Sequence, residues 1–133
     1  MTVLQPADWP RPSGYANGVS AEGALVFVAG QIGWNNRREI ESDDLVDQVR
    51  QALLNVTAVL AEGGATPKDI VRMTWYLTDA ADYRARAKEI GAVFRDIVGH
   101  YHSAMTAVEV TALLEDRAKV EIEVTAVIGR AAR

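Results

Sequence analysis

The stretch from Lys119 to Ile128, Lys-Val-Glu-Ile-Glu-Val-Thr-Ala-Val-Ile, decides the fold. Its residues alternate in character, which is the period of a β-strand whose two faces meet different surroundings. One set of alternate positions is apolar throughout: Val120, Ile122, Val124, Ala126 and Ile128. The other set mixes carboxylates with smaller side chains: Glu121, Glu123, Thr125 and Val127. The pattern predicts a strand with one face on a helix-covered core and the other face polar.

The segment from Met105 to Leu113 alternates in the same way, and we expect it to pair with the last strand as a ribbon through the link 114–118. The residues expected to face the core are Val108, Val110 and Ala112. Those expected on the opposite face are Met105, Ala107, Glu109, Thr111 and Leu113.

The polar face of this ribbon carries three carboxylates, Glu109, Glu121 and Glu123. Carboxylates are rarely buried without partners. This face is therefore either an ordinary solvated sheet face or one that meets other subunits, with its carboxylates lining a cleft between them.

Two further strand regions precede the ribbon. A hairpin is predicted from 14–20 and 24–29, and its short β-branched second strand, Ala24 to Ala29, is expected to be buried on both faces. Another strand is expected from Ile70 to Leu77. Residues 1–13 contain three of the four prolines and predict an extended N-terminal arm.

Two helices complete the pattern. The first is expected to begin at an N-cap Ser42, with Asp43 and Asp44 in its first turn, and to end at Gly63-Gly64. Thr78 is expected to cap the second helix. Its predicted apolar stripe is Tyr83, Ala87, Ile90, Val93, Phe94 and Ile97. The order β-β-α-β-α-β-β predicts one α+β domain over residues 1–133, with a mixed sheet and both helices on one of its faces.

Composition narrows the function classes. The 133 residues include 14 Lys plus Arg and 18 Asp plus Glu, so the net charge is −4, which argues against tracking a nucleic-acid backbone. The absence of cysteine excludes disulfides, thiolate metal sites and a cysteine nucleophile. No apolar run is long enough to span a bilayer and no signal core is evident, so we expect a cytoplasmic protein that does not bind membranes.

Several segments resemble the Rid (YjgF) family of enamine/imine deaminases. They are residues 14–19, 26–32, 53–64, 69–77 and 120–127, which occur in the family's order and cover most of the chain. The resemblance implies a chorismate-mutase-like fold and a homotrimer with a central barrel. It also implies a small-molecule substrate at three sites between subunits, and neither a metal nor a cofactor.

One family motif differs in this chain. Family members that hydrolyse α-imino acids hold the substrate carboxylate with an arginine in a Pro-Ala-Arg-Ser/Thr motif, and the matching residues here are Ser103-Ala104-Met105-Thr106. Met105 offers dispersion contact in place of a bidentate charged grip. Ala29 and Ala87 also replace a common Ser and Asn, so the pocket is expected to be more apolar and to suit a larger ligand or one without an α-carboxylate.

The resemblance retains other site residues. Glu121 is either the acid/base that holds the attacking water or a structural acceptor between chains. Tyr15 either donates to a substrate oxygen or belongs to the core. The expected substrate-binding residues are Gly30, Gln31, Trp34, Met105, Thr106 and Ala87. Trp34 and Trp75 either wall the pocket or pack within their strands.

His100 and His102 either supply the missing cation or lie in a surface loop, and no third ligand with metal spacing accompanies them. The first functional hypothesis is a hydrolytic enamine/imine deaminase with an altered anchor. The alternative is a trimer that binds a small metabolite in the same cleft without deaminating it. A third, RNA cleavage, is opposed by the acidic charge and scattered arginines.

Overall fold

The computed structural model describes residues 1–100 and 102–129. These residues contain six strands: β1 (Thr2–Leu4), β2 (Gly18–Ser20), β3 (Gly23–Ile32), β4 (Ile70–Leu77), β5 (Ala104–Glu109) and β6 (Val120–Gly129). The same residues contain three α-helices: α1 (Leu45–Glu62), α2 (Ala80–Ala85) and α3 (Ala87–Ile97). A short 3₁₀ turn (Pro67–Asp69) leads into β4. Tyr101, which lies between His100 and His102, and residues 130–133 of the predicted domain are outside the described residues.

The central sheet has the strand order β3-β6-β4-β5. β6 pairs antiparallel with both β3 and β4, whereas β5 pairs parallel to β4. The mixed α+β architecture is confirmed. The predicted ribbon of β5 and β6 is wrong, because the chain leaves β4 through α2 and α3 and returns in the same direction, so β4 lies between the two predicted partners.

The predicted hairpin is also wrong. β2 pairs with β1 in a separate two-stranded sheet, while β3 pairs with β6. The ten-residue β6 is a far longer partner for β3 than the three-residue β2. Nor is β3 buried on both faces: Val28 is buried, but Leu25 and Phe27 are 60% and 70% exposed. Its side chains alternate like those of any strand with a single covered face.

The alternation predicted for β6 is confirmed. Val120, Ile122, Val124 and Ala126 are buried in the core, which α1 closes with residues such as Val49, Leu53 and Leu60. We call the side of the sheet away from the helices its outer face. The outer-face residues that matter below are Arg72, Thr74, Tyr76, Thr106, Glu121 and Glu123.

The predicted orientation of β5 is wrong. Met105 and Ala107 stand beside the buried Met73 and Trp75 of β4, so they face the helices, and Thr106 and Val108 lie on the outer face. Both sets of positions in β5 contain small or apolar residues, so the sequence pattern did not distinguish the faces. Glu109 consequently lies apart from Glu121 and Glu123.

The Glu109 carboxylate accepts a hydrogen bond from the Ala80 backbone N–H at 2.9 Å. The face predicted to carry three carboxylates therefore holds two of them, Glu121 and Glu123.

The helix ends differ from prediction in two places. α1 is capped by Asp44, whose carboxylate accepts from the Asp47 N–H, because the chain is still extended at Asp44; the predicted cap Ser42 instead donates to the Asp47 carboxylate. The predicted end at Gly63 and Gly64 is confirmed.

The predicted second helix is two helices. α2 is capped by Asp79, since Thr78 still donates its backbone N–H to Lys119 across the sheet end. The helical path breaks at Arg86 (φ −109°, ψ 18°), where α3 begins. Arg86 donates to Asp44 at 2.6 Å and to Glu89 at 2.8 Å, which ties this break to the start of α1. No helix in the described part of the chain has the length and apolar character needed to cross a membrane.

Candidate functional site

A cavity of about 690 Å³ opens between α3 and the helix-facing side of β4 and β5. We call it the helix-side cavity. Its described lining residues are Ser13, Gly14, Tyr15, Trp75, Tyr83, Ala87, Ile90, Gly91, Phe94, Arg95, Met105 and Ala107. The volume lies in the range of small-molecule sites, and most of the wall is apolar, as such sites are.

Aromatic rings form the floor of the cavity. Trp75 of β4 is 1% exposed, meets Tyr83 edge-on at 6.1 Å between ring centroids, and lies 6.2 Å from Phe94. Burial raises the pKa of the Tyr83 phenol, so this hydroxyl stays protonated near neutral pH. The Trp75 indole Nε1–H is buried and has no hydrogen-bond partner among the described residues.

Three of the predicted site residues meet in this cavity: Tyr15, Ala87 and Met105. Tyr15 comes from the N-terminal loop and is 41% exposed, while the adjacent Ala16 bridges Ala104 at the start of β5. Met105 is half-buried and packs against the core. Where the resemblance expects a cationic anchor, the wall thus carries a thioether.

Glu121 lies on the opposite side of the sheet. A Cβ added at Gly30 would stand 2.7 Å from the Glu121 carboxylate oxygen, so the Gly30 backbone is packed directly against that side chain. The β3–β6 register shifts between Val28 and Gln31, which leaves Ala29 and Gly30 facing the single residue Glu123. The bulge is what brings Gly30 to Glu121.

Gln31 and Thr106 are not among the described residues that line the helix-side cavity. The Gln31 amide donates to the Ala29 carbonyl of its own strand at 3.0 Å. Thr106 is exposed on the outer face beside Thr74. Gly30 and Glu121 therefore form a second group, separated from Tyr15, Ala87 and Met105 by the thickness of the sheet. Gln31 pairs with the core-facing Ile122, and Thr106 lies on β5, which β4 separates from β6, so the structure does not bring either residue to Glu121.

Two outer-face residues were missed from the sequence. The Tyr76 hydroxyl donates to the Glu123 carboxylate at 2.7 Å, and this hydrogen bond raises the pKa of Tyr76. Arg72 lines a shallow outer-face pocket with Glu123 and Thr125. The signal for both was the alternation of β4, in which Arg72, Thr74 and Tyr76 form the polar set.

Trp34 lies elsewhere. It lines a shallow cleft with Leu114 and Arg117, and the Arg38 guanidinium stands 5.8 Å from its ring centroid. The structure does not place it with either group of predicted site residues. Trp75, by contrast, both packs in its strand and walls the helix-side cavity.

The two histidines do not supply a cation to the cavity. His100 Nε2 is 2.8 Å from the Pro67 carbonyl and so carries the proton, while His100 Nδ1 accepts from the His102 backbone N–H. These two hydrogen bonds are those of a neutral His100 ring. The ring centroids of His100 and His102 are 5.0 Å apart. Neither is among the described residues that line the cavity.

Comparison with known proteins decides the family. A family model described as Endoribonuclease L-PSP matches residues 10–128. A crystal structure titled as the conserved Rid family protein YyfB of Yersinia pestis superposes with a TM-score of 0.84 at 32% identity, covering 96% of this chain and 98% of that one. The chain belongs to the Rid (YjgF) family.

Two further comparisons concern Escherichia coli TdcF. The curated sequence from strain K12, named "Putative reactive intermediate deaminase TdcF", is 34% identical over 85% of each chain. The crystal structure of TdcF with bound serine superposes with a TM-score of 0.70 at 31% identity, covering 97% of this chain and all of that one. The chorismate-mutase-like Rid fold expected from the resemblance is thereby confirmed.

Proposed function

We propose that this Rid-family chain hydrolyses a reactive enamine or imine to a carbonyl compound and ammonia, at sites formed between the subunits of a homotrimer. The observation that carries the proposal is the separation of the two groups of site residues. The helix-side cavity holds Tyr15 and Met105, whereas Glu121 lies on the outer face. One chain cannot bring both groups to one substrate, but two neighbouring chains can.

The exposed apolar side chains support the same assembly. Leu25 and Phe27 project from the outer face beside Val127 and Thr125, and such side chains are costly to leave in water. In a trimer that buries this face, Glu121 of one subunit would approach the cavity of the next. The mixture of carboxylates and apolar residues on the outer face then belongs to an interface between subunits.

The chemistry needs few groups. An enamine first tautomerises to the imine by gaining a proton on carbon and losing one from nitrogen. Water then adds to the C=N carbon to give a tetrahedral carbinolamine, which expels ammonia and leaves a C=O group. Glu121 is proposed to hold and deprotonate the water and then to return the proton to the departing nitrogen. Tyr15 is proposed to donate to a substrate oxygen, and Gly30 keeps the Glu121 carboxylate in place.

The substrate-binding roles of Ala87 and Met105 follow from their position in the cavity wall, where they favour an apolar substrate body. TdcF, which is similar over most of its length, carries the name of a deaminase of reactive intermediates. That likeness supports the reaction class and leaves the substrate of this chain to experiment.

The test is ammonia release from imines that an amino-acid oxidase generates in situ. We expect the wild-type protein to accelerate release above the spontaneous rate, and Glu121→Gln to reduce kcat by about 100-fold or more. Glu62→Gln, an exposed glutamate at the end of α1, is the matched control and should match the wild type. A wild-type protein that accelerates no such hydrolysis, or a Glu121→Gln variant of full activity, contradicts the proposal.

The second candidate is a trimer that binds a small metabolite without deaminating it, and Met105 is the observation that favours it. Replacement of the guanidinium by a thioether removes a charge-assisted pair worth about 1.5–3 kcal/mol. If this candidate is correct, Met105→Arg should create imine hydrolysis that the wild type lacks. If the deaminase proposal is correct, the wild type is already active and Met105→Arg changes mainly which substrates it prefers.

A further inference from the structure

We propose that Arg72 on the outer face of one subunit forms an ion pair with Glu123 on the outer face of the next subunit, so that three identical pairs hold the trimer together. The inference rests on the homotrimer of the proposed function and adds the contact that selects a second copy of this chain as the partner. The contact belongs to the assembly surface and not to the reaction, so it can be tested without measuring hydrolysis.

Arg72 is an exposed cation without a counter-charge in its own chain. It lies on β4 opposite Thr125 of β6, and it forms no ion pair within the described part of the chain. Arg50, Arg86 and Arg117, by contrast, each contact a carboxylate of their own chain. An interface that covers an unpaired guanidinium is destabilised, because the charge loses its water and gains no partner. A subunit that covers Arg72 must therefore supply a carboxylate.

Arg72 lies beside the apolar side chains that the proposed interface covers. Phe27 of β3 and Arg72 of β4 flank the same residue of β6, Thr125, and both line the shallow outer-face pocket. Phe27 is 70% exposed, so it is a principal part of the apolar surface that a partner would bury. An interface that buries Phe27 therefore also takes the guanidinium of Arg72 out of water.

Glu123 is not paired with Arg72 of its own chain, because Tyr76 holds its carboxylate in the other direction. Along β4, Arg72 and Tyr76 lie on opposite sides of Thr74, the residue that faces Glu123 across the two strands. The Tyr76 hydroxyl donates to Glu123 Oε1 at 2.7 Å, and Oε2 has no hydrogen bond among the described residues. That second oxygen is available to a cation from another chain.

The charges of the outer face match in number when each subunit meets the next. The other glutamate of this face, Glu121, is packed against the Gly30 backbone and has the acid/base role in the proposed function. Each subunit then contributes one unpaired cation, Arg72, and one available carboxylate, Glu123. In a cyclic trimer every subunit meets the next in the same way, so three Arg72–Glu123 pairs leave none of these charges without a partner.

The test measures the oligomeric state of the whole protein by size-exclusion chromatography with light scattering. Arg72→Glu and Glu123→Arg each place like charges at every contact, and we expect the measured mass to fall from that of three chains to that of one. The double variant Arg72→Glu/Glu123→Arg restores an opposite pair at each contact and should return to the mass of three chains. Because both residues are exposed, circular dichroism should show the wild-type fold for all three variants.

An equal mixture of the two single variants gives a second measurement. A ring of three subunits drawn from two kinds always contains two neighbours of the same kind, and these carry like charges at their contact. The mixture should therefore form less trimer than the double variant at the same total concentration. Full recovery of assembly in the mixture would contradict a ring of three, since only a ring with an even number of subunits can alternate the two kinds throughout.

Two charge reversals outside the outer face are the controls. Arg84→Glu in α2 and Glu62→Arg at the end of α1 change the net charge by the same amounts as Arg72→Glu and Glu123→Arg. Both positions are exposed and lie on helices, away from the proposed interface. Both control variants should keep the mass of three chains.

The inference is overturned if the wild type is not a trimer, if either single variant keeps the mass of three chains, or if the double variant stays monomeric. It is also overturned if the controls lose the trimer as the single variants do. Assembly that follows the charge swap in a protein that releases no ammonia supports the ion pair and contradicts the deaminase proposal. Ammonia release by single variants that remain trimeric contradicts the ion pair alone, so the two failures are distinguishable.

Discussion

At the scale of single residues, the absence of a side chain at Gly30 allows the Glu121 side chain to lie directly against the β3 backbone. The bulge in β3 places its backbone against the Glu121 carboxyl group, with no room for a Cβ between them. A glycine at position 30 permits the close approach of β3 and the Glu121 carboxylate, which explains why this position of the motif is a glycine.

Gly30→Ala should therefore displace Glu121 while leaving the fold intact. The new methyl group would stand 2.7 Å from the carboxylate oxygen, and the flexible glutamate must turn away. We expect a stability loss of about 1 kcal/mol and a loss of imine hydrolysis of about tenfold or more. Urea denaturation and ammonia release measure the two effects.

The matched control is Gly129→Ala at the end of β6, where an added Cβ meets none of the described residues within 4 Å. It should keep wild-type activity. Gly30→Ala with unaltered activity would show that the position of Glu121 is not important for catalysis.

Only some of the candidate site residues could be predicted from the sequence. Tyr15, Ala87 and Met105 share one cavity. They could be named from the sequence because the resemblance aligned each of them with a family position. Tyr76 was missed because its partner Glu123 lies 47 residues away, and the alternation of a strand does not show which side chain of a neighbouring strand it will meet.

At the scale of elements, the break between α2 and α3 is held by charge. Arg86 hydrogen-bonds to the carboxylates of Asp44 and Glu89, and these bonds lower the pKa of both acids. The same two acceptors raise the pKa of Arg86, so the guanidinium remains charged at every pH at which the protein folds. The cap of α1 and the start of α3 thus depend on one cluster.

Removing this cluster should give a pH-dependent loss of stability. Because the folded pKa values of Asp44 and Glu89 lie below their ordinary values near 4, their stabilisation is complete at neutral pH and disappears as the pH falls through the lowered values. Arg86→Gln should lower Tm clearly at about pH 7 and much less at about pH 2.

Thermal unfolding followed by circular dichroism at both pH values measures this. Arg50→Gln, which breaks the exposed pair with Asp96, is the control and should change Tm little. An equal loss of Tm for Arg86→Gln at both pH values would mean that packing, and not charge, holds the break.

Gln48 links α1 to the approach of β6. It is 1% exposed; its amide donates to the carbonyls of Ser42 and Arg117, and its oxygen accepts from the Lys119 N–H. Gln48→Leu keeps the volume but leaves three backbone groups without partners. We expect a loss of about 2–4 kcal/mol in the free energy of unfolding, measured with urea.

Gln51→Leu, one turn further along α1, is the comparison for this change. Among the described residues, the Gln51 side chain hydrogen-bonds only to the Asn55 side chain on the same helix, so the variant should lose less than about 1 kcal/mol in the free energy of unfolding. Equal losses for the two variants would contradict the role assigned to Gln48.

The elements themselves were largely predictable, and their partners were not. The bounds of β4 and the face alternation of β6 follow from side-chain periodicity, which is local. The pairing of β5 with β4 depends on the direction in which α3 returns the chain, and the orientation of β5 depends on which of two apolar sets the core accepts. The break at Arg86 was hidden because the apolar stripe continues through it from Tyr83 to Ile90.

At the scale of the whole molecule, the outer face carries exposed apolar side chains that a neighbouring subunit would cover. Phe27→Glu should prevent the proposed trimer, because it places a charge in the exposed apolar patch that Leu25 and Phe27 form on the edge strand β3. Size-exclusion chromatography with light scattering should give a trimer for the wild type and a monomer for the variant, and imine hydrolysis should fall with it.

Val59→Glu is the control for the oligomer. It adds the same charge at an exposed apolar residue of α1, on the helix side of the sheet, and should remain trimeric. A monomeric wild type, or loss of the trimer in the control alone, would contradict the proposed assembly.

The strand order also has a consequence for synthesis on the ribosome. β3 is complete by residue 32, but its partner β6 begins at residue 120, so almost the entire chain must emerge before the central sheet can close. Until then Leu25, Val26, Phe27 and Val28 form an unpaired, β-prone apolar strand, which is the kind of segment that aggregates or requires a chaperone. The nascent chain is therefore most prone to aggregation while β3 has no partner strand, and this period ends only when β6 has been synthesised.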